Sequence, residues 1–205
     1  MGNGGTFGID GWIVFPGYRL TKDAKARRPR MKRAFRDMTI DDFSRDDLTS
    51  LLGSPWRAAS DMVMGGISQA SLKHDVIDGR CCLRLNGDVR LENNGGFIQA
   101  VLPLAPSDGV LDASAFTGVR LTTRGNDETY GVHLRTPDND RPWQSYRAQF
   151  TAGPKWQAID IPFAVFEPHR LETPLDVTRL RRIGLVAIGR AFFADLAVAR
   201  LAFYR

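Results

Sequence analysis

"TYGVHLRTPDNDRPWQSYRAQF", residues 129–150, alternates on both sides of a turn. Tyr130, Val132 and Leu134 share one parity, and His133 and Arg135 share the other. After the turn formers of "PDNDRP" (137–142), Tyr146, Ala148 and Phe150 resume the apolar parity against Ser145, Arg147 and Gln149. Successive side chains of a strand point to opposite faces, so a period of two marks a half-buried strand. An amphipathic helix would instead space its apolar residues three and four apart. The stretch reads as a hairpin with one face in a core.

The same reading extends outward. "RCCLRLNG" (80–87), "GGFIQAVLPL" (95–104), "GVRLTTR" (118–124), "KWQAIDIPF" (155–163), "LRRIGLVAIG" (180–189) and "ADLAVARLAFY" (194–204) are further strand candidates. "NGD", "ENNGG", "RGND" and "AGP" punctuate them as turns. About nine short strands with almost no helix predict an all-β fold, a β-sandwich of jelly-roll type. Val132, Leu134, Tyr146, Phe150, Ile159, Ile161, Ile183, Leu185 and Phe193 are the predicted core. One short N-terminal helix is expected at "SRDDLTSLL" (44–52). There Ser44 can cap, Asp46 and Asp47 sit in the first turn, and Leu48, Leu51 and Leu52 share a face.

Charge divides the chain unevenly. Residues 1–35 hold eight basic and two acidic side chains, so the remainder sums to −1 against +5 for the whole chain. Residues 1–35 read as a basic arm, disordered or loosely docked, with Met31 a candidate start. Residues 36–205 read as a single β-sandwich domain. A nearly neutral body argues against a nucleic-acid-binding domain. No apolar run approaches the ~20 residues of a membrane-spanning helix, and no secretion signal is visible, so a cytoplasmic protein is expected. "MGNGGT" matches the myristoylation pattern formally and is read as chance in a Gly-rich tip. The two cysteines, Cys81 and Cys82, are adjacent, so on a strand they face opposite ways and do not pair. Three scattered histidines and no other Cys offer no metal motif, and no cofactor signature appears, so neither metal nor cofactor is expected.

"SDMVMGGISQAS" (60–71) sets an acid among apolar residues and then spends two glycines. No Lys-Ser/Thr follows as in a phosphate loop, and no G-x-S-x-G elbow is present. The bottom-up reading is a tight bend, with Met62 and Met64 filling core gaps and Asp61 accepting hydrogen bonds from the glycine amides. Trp56 followed by "SDMVMGGIS" also resembles the W…D-x-V-M-G-G-V-S signature of the complex I intermediate-associated protein 30 family. "LENNGGF" (91–97), "RGNDETYGVHLRT" (124–136), "YRAQF" (146–150), "WQAIDIPFAVFEP" (156–168) and a closing "IGLVAIG…F" follow in the family's order, across residues 38–204. The resemblance implies a galactose-binding-domain-like jelly roll related in shape to carbohydrate-binding modules. It also implies a role like that of the mitochondrial members, which are assembly factors for respiratory complex I. Where the family often continues its second Gly-Gly-Phe with Ser and Arg, this chain has Gln99 and Val101.

The candidate binding residues fall in three groups. Asp61, Met64, Gly65, Gly66 and Ser68 form one loop, and Asn93, Asn94, Gly95 and Gly96 a second. His133, Arg135, Trp143 and Arg147 share an outward parity, with Arg124 extending that face from the preceding strand; flat aromatic and guanidinium groups suit a sugar, a peptide or an anion. No paired carboxylates and no nucleophile–base pair can be assembled, so no catalytic residue is expected. A non-catalytic function is therefore expected, and the family resemblance implies its kind: an assembly factor or chaperone contacting a protein client, a respiratory or other oxidoreductase complex. The alternative is a carbohydrate or small-ligand binding module.

Overall fold

The structure, a computed structural model, describes residues 37–205. The expectation of a basic arm over 1–35 lies outside the described residues. Twelve strands are described. In chain order they are β1 (Met38–Asp41), β2 (Arg57–Ser60), β3 (Ser71–Ile77), β4 (Arg80–Val89), β5 (Phe97–Pro103) and β6 (Gly118–Arg124). Then come β7 (Glu128–Arg135), β8 (Ser145–Ala152), β9 (Gln157–Pro162), β10 (Glu167–His169), β11 (Arg182–Ile188) and β12 (Phe192–Tyr204). They form two antiparallel sheets. The first runs β3-β4-β12-β6-β9, with β1 beside the C-terminal half of β12; the second runs β10-β8-β7-β11-β5-β2. This is the predicted all-β sandwich.

The hairpin expected at 129–150 is β7–β8, with the expected faces together: Leu134 stands opposite Tyr146, His133 opposite Arg147, Val132 opposite Ala148. Its apolar parity enters a core shared by both sheets. Val132, Leu134, Tyr146, Phe150, Ile161, Ile183 and Leu185 are all buried there, and Ile159 packs against them half-buried. Truncating such a side chain to Ala typically costs about 2–5 kcal/mol. Trp56 is buried beside Phe43, and its Nε1 donates to Asp41 Oδ2 at 2.8 Å. Cys82 is buried and Cys81 half-buried, both free, as alternation requires.

Two expectations fail locally. Phe193 is 53% exposed. A bulge between Val198 and Arg200 changes the inward parity of β12: Ala194, Leu196 and Val198 face the core before it, Leu201 and Phe203 after it. Phe193 was assigned from the wrong side of that bulge. The second failure is the helix at 44–52. The segment is a chain of bends, and the helical segments among the described residues are single 3-10 turns. Short acidic side chains capture nearby amides instead of capping a helix. Asp42 Oδ1 accepts from Ser44 N at 3.1 Å, and Asp47 Oδ1 from Thr49 N at 2.8 Å. The chain then doubles back through Gly53 at φ +80°, so that Trp56 N donates to Leu48 O at 2.7 Å. Leu48 and Leu52 still reach the core, from a loop.

Candidate functional site

β2 ends at Ser60, whose hydroxyl accepts from Met62 N at 3.4 Å and opens a 3-10 turn over Asp61–Met64. The turn closes on Gly65 in the left-handed region at φ +89°. It directs Asp61 inward, where it is fully buried, and leaves Met62, Val63 and Met64 outside, 64%, 80% and 59% exposed. Met62 and Met64 therefore do not fill core gaps, because the turn rotates them out. Ile67 and Leu91 add exposed apolar surface on neighbouring stretches.

Asp61 joins three segments of chain. Its Oδ1 accepts from Ser68 N at 2.9 Å; its Oδ2 accepts from Ser68 Oγ at 2.5 Å, Gly96 N at 2.5 Å and Phe97 N at 3.2 Å. Ser68 Oγ in turn accepts from Arg90 N at 2.9 Å. The glycine amides next to Asp61 bond elsewhere than expected: Gly66 N goes to the Asp61 backbone carbonyl and Gly65 N to Met62 O. The amide that Asp61 holds belongs to the second Gly-Gly. Burial pushes the Asp61 carboxyl up, but the donors from Gly96, Ser68 and Phe97 outweigh it and hold the group below the usual carboxylate value. Two glycines are required for space rather than conformation. A Cβ at Gly66 or at Gly95 would overlap the Asp61 carboxylate. Asn93 Nδ2 adds a bond to Gly65 O at 3.2 Å, tying the loops directly. The side chain of Asn94 lies outside the described residues.

The third predicted group is brought together only in part. His133 and Arg147 are opposite neighbours on the outer face of the second sheet, and Arg135 lies on the same parity. Arg124 does not join them. It lies on β6, in the other sheet, and pairs with Asp78 at 2.6 Å. Arg135 folds back on its own hairpin, donating to the carbonyls of Asn139 (3.1 Å), Arg141 (2.7 Å) and Pro142 (3.3 Å). Trp143 is 49% exposed at the rim, and its carbonyl accepts from Arg147 at 3.4 Å. His133 lies over bare Gly131, where a Cβ would come within 3.1 Å of its Nε2. Burial, with Arg147 and His169 beside it, pushes His133 down to about 3, so its imidazole is neutral. Sequence reasoning missed His169, which β10 brings opposite Ser145. A groove of about 280 Å³ lies toward the Gly-Gly end of this face, lined by Thr129, Gly131, Gln149, Ile188 and Arg190 among others. Among the described residues no three potential metal-ligating side chains cluster, and no helix is long and apolar enough to cross a membrane.

Residues 42–195, which contain both Gly-Gly loops and all three groups of candidate residues, match the family described as Complex I intermediate-associated protein 30. The chain belongs to this family. No curated protein matches it. Among solved structures, this member of the family is similar to the family 11 carbohydrate-binding module of a cellulosomal cellulase of Clostridium thermocellum. That match has a TM-score of 0.61 at 14% identity, over 82% of this chain and 95% of that one. A family 30 carbohydrate-binding module of another Clostridium thermocellum cellulosomal cellulase matches with a TM-score of 0.57 at 16% identity, over 81% and 95%. An agarase matches with a TM-score of 0.53 at 12% identity, over 82% of this chain and 25% of the enzyme. At these identities the likeness is one of fold: the family member has the jelly-roll sandwich of the carbohydrate-binding modules.

Proposed function

We propose that this chain is a non-catalytic binding protein of the assembly-factor type, which holds a protein client at the rim built by its two Gly-Gly loops. One observation carries the reading. Met62, Val63 and Met64 project into solvent from a turn whose anchor, Asp61, is fixed by four hydrogen bonds. A rigid loop backbone has little order to lose on binding, and the flexible methionine side chain adapts to varied partner surfaces. The family's name points to an intermediate of a respiratory complex as the class of client. Affinity purification of the tagged protein from its native cells tests this. Wild type should retain a client that a Met62→Ser, Met64→Ser double variant recovers about tenfold less well, at unchanged thermal stability. Equal recovery by both proteins would remove the loop from the account.

The second reading is a carbohydrate module. It is favoured by the groove of about 280 Å³ on the outer sheet face and by the fold neighbours, one of which was solved with a β-1,3-1,4-mixed-linked tetrasaccharide. A glycan-array hit without a protein client would select it.

A further inference from the structure

The two outer faces of the sandwich treat charge differently. On the first sheet most cations are matched, Arg80 lying instead over the Trp156 ring. Lys73 and Arg84 share Asp75, Arg84 also binds Asp195 at 2.8 Å, and Arg120 binds Asp160 at 2.6 Å and Asp37 at 2.8 Å. On the second sheet the matching is partial: Arg182 pairs with Asp108 at 3.4 Å and Arg190 with Glu128, whereas the cations around β8 and β10 have no carboxylate partner among the described residues. Arg147 is half-buried and spends its donors on Ser145 Oγ (2.8 Å) and the Trp143 carbonyl, with no carboxylate. Glu167 stands opposite Arg147 in the register but forms no ion pair with it. Arg170, next to His169, and Arg57, at the β2 edge, have no acidic partner among the described residues. The three carbonyls that hold Arg135 leave its charge in place.

Partly desolvated guanidinium groups without counter-charges are costly, and a planar carboxylate matches their fork geometry. Burial, and after it the neighbouring cations, pushes Arg147, Arg135 and His169 down from their ordinary values. The middle of the face offers no flat aromatic platform for a sugar ring. Gly131, Gly184, Val101 and Val186 lie there with Gln99 and the largely covered His133, and Trp143 lies only at the rim.

We propose that the outer face of the second sheet, around Arg147, His169 and Arg170, binds carboxylates presented by an acidic protein segment. The proposal rests on the reading of the chain as a client-binding protein and gives that client a chemical character: an acidic stretch that crosses the sheet face while an apolar contact is made at the loop rim.

The test is a fluorescence-anisotropy titration of the full chain with a labelled peptide of alternating Glu and Gly. Saturable binding at about 0.02 M salt, weakening steeply toward about 0.3 M, is expected for exposed charge pairing. Arg147→Gln should raise Kd about tenfold. Arg170→Gln, at an exposed side chain with no bond to lose, should also raise it, guarding against misfolding of the first variant. Lys73→Gln, which removes the same charge from the opposite face, should leave Kd unchanged. Equal weakening by Lys73→Gln, or no saturable binding by wild type, overturns the proposal. Tighter binding of an oligogalacturonate than of the peptide overturns the assignment to protein. If native client recovery is the same with wild type and Arg147→Gln, this face fails while the assembly reading stands. If wild type recovers no client at all, the assembly reading fails, and the peptide titration still reports on the face.

Discussion

Asp61→Ala is expected to destabilise the protein by about 3–5 kcal/mol, read as the shift in urea midpoint at unchanged slope. The size follows from what is stranded. Ser68 N and Gly96 N are buried or nearly so and would lose their acceptor, and Ser68 Oγ would keep only the Arg90 carbonyl at 3.2 Å. Each orphaned buried donor costs about 1–3 kcal/mol, and bonds to a charged group lie at the upper end of the hydrogen-bond range. Asp61→Asn keeps the shape but turns one acceptor oxygen into a donor aimed at other donors, so it should recover little of the loss. The same carboxylate sets a pH dependence. Its folded value is held below the ordinary 3.8. Its contribution is therefore fully present above the unfolded value and is lost as pH falls from about 3.8 through the lower folded value. Wild type should lose stability over that acid window more steeply than Asp61→Ala. A variant as stable as wild type, with the same acid profile, would mean that the three segments hold together without Asp61.

The second large effect separates two adjacent glycines. Gly66→Ala should cost about 2–3 kcal/mol, because the new Cβ would occupy the space of the Asp61 carboxylate and force the latch to move. Gly65→Ala should cost only about 1 kcal/mol, although Gly65 is the one with positive φ. Its Cβ would point into open space, so only the left-handed backbone penalises it. Thermal melts of the two variants decide the order. A larger loss at Gly65 would show that backbone conformation, and not room for Asp61, dictates the Gly-Gly pair.

Those paired glycines also show how far a sequence can be read. The period-two pattern at Tyr130, Val132, Leu134, Tyr146 and Phe150 was sufficient for the sandwich, because burial on one face of a strand leaves a direct trace in composition. Phe193 was misplaced because a bulge changes parity without any change in residue type. The helix at 44–52 failed because Asp42 and Asp47 serve loop turns as well as they serve helix caps. At the site, the importance of Asp61 was legible from its position among apolar neighbours. Its real partners were not, since Gly96 and Phe97 lie thirty-five and thirty-six residues away. Arg124 was grouped with His133 because their strands are consecutive. The connection between β6 and β7 crosses from one sheet to the other, and local pattern carries no record of which sheet a strand joins.

The Asp61 latch is proposed to present an apolar rim to a protein client. A photo-crosslinking side chain placed at Val63 in native cells tests it most directly, with the same group at Val76, exposed on β3 of the other sheet, as the reference. One dominant protein adduct is expected from position 63 and none above background from position 76. Equal adducts from both positions, or none from position 63 in cells where the tagged protein still recovers its client, would contradict it.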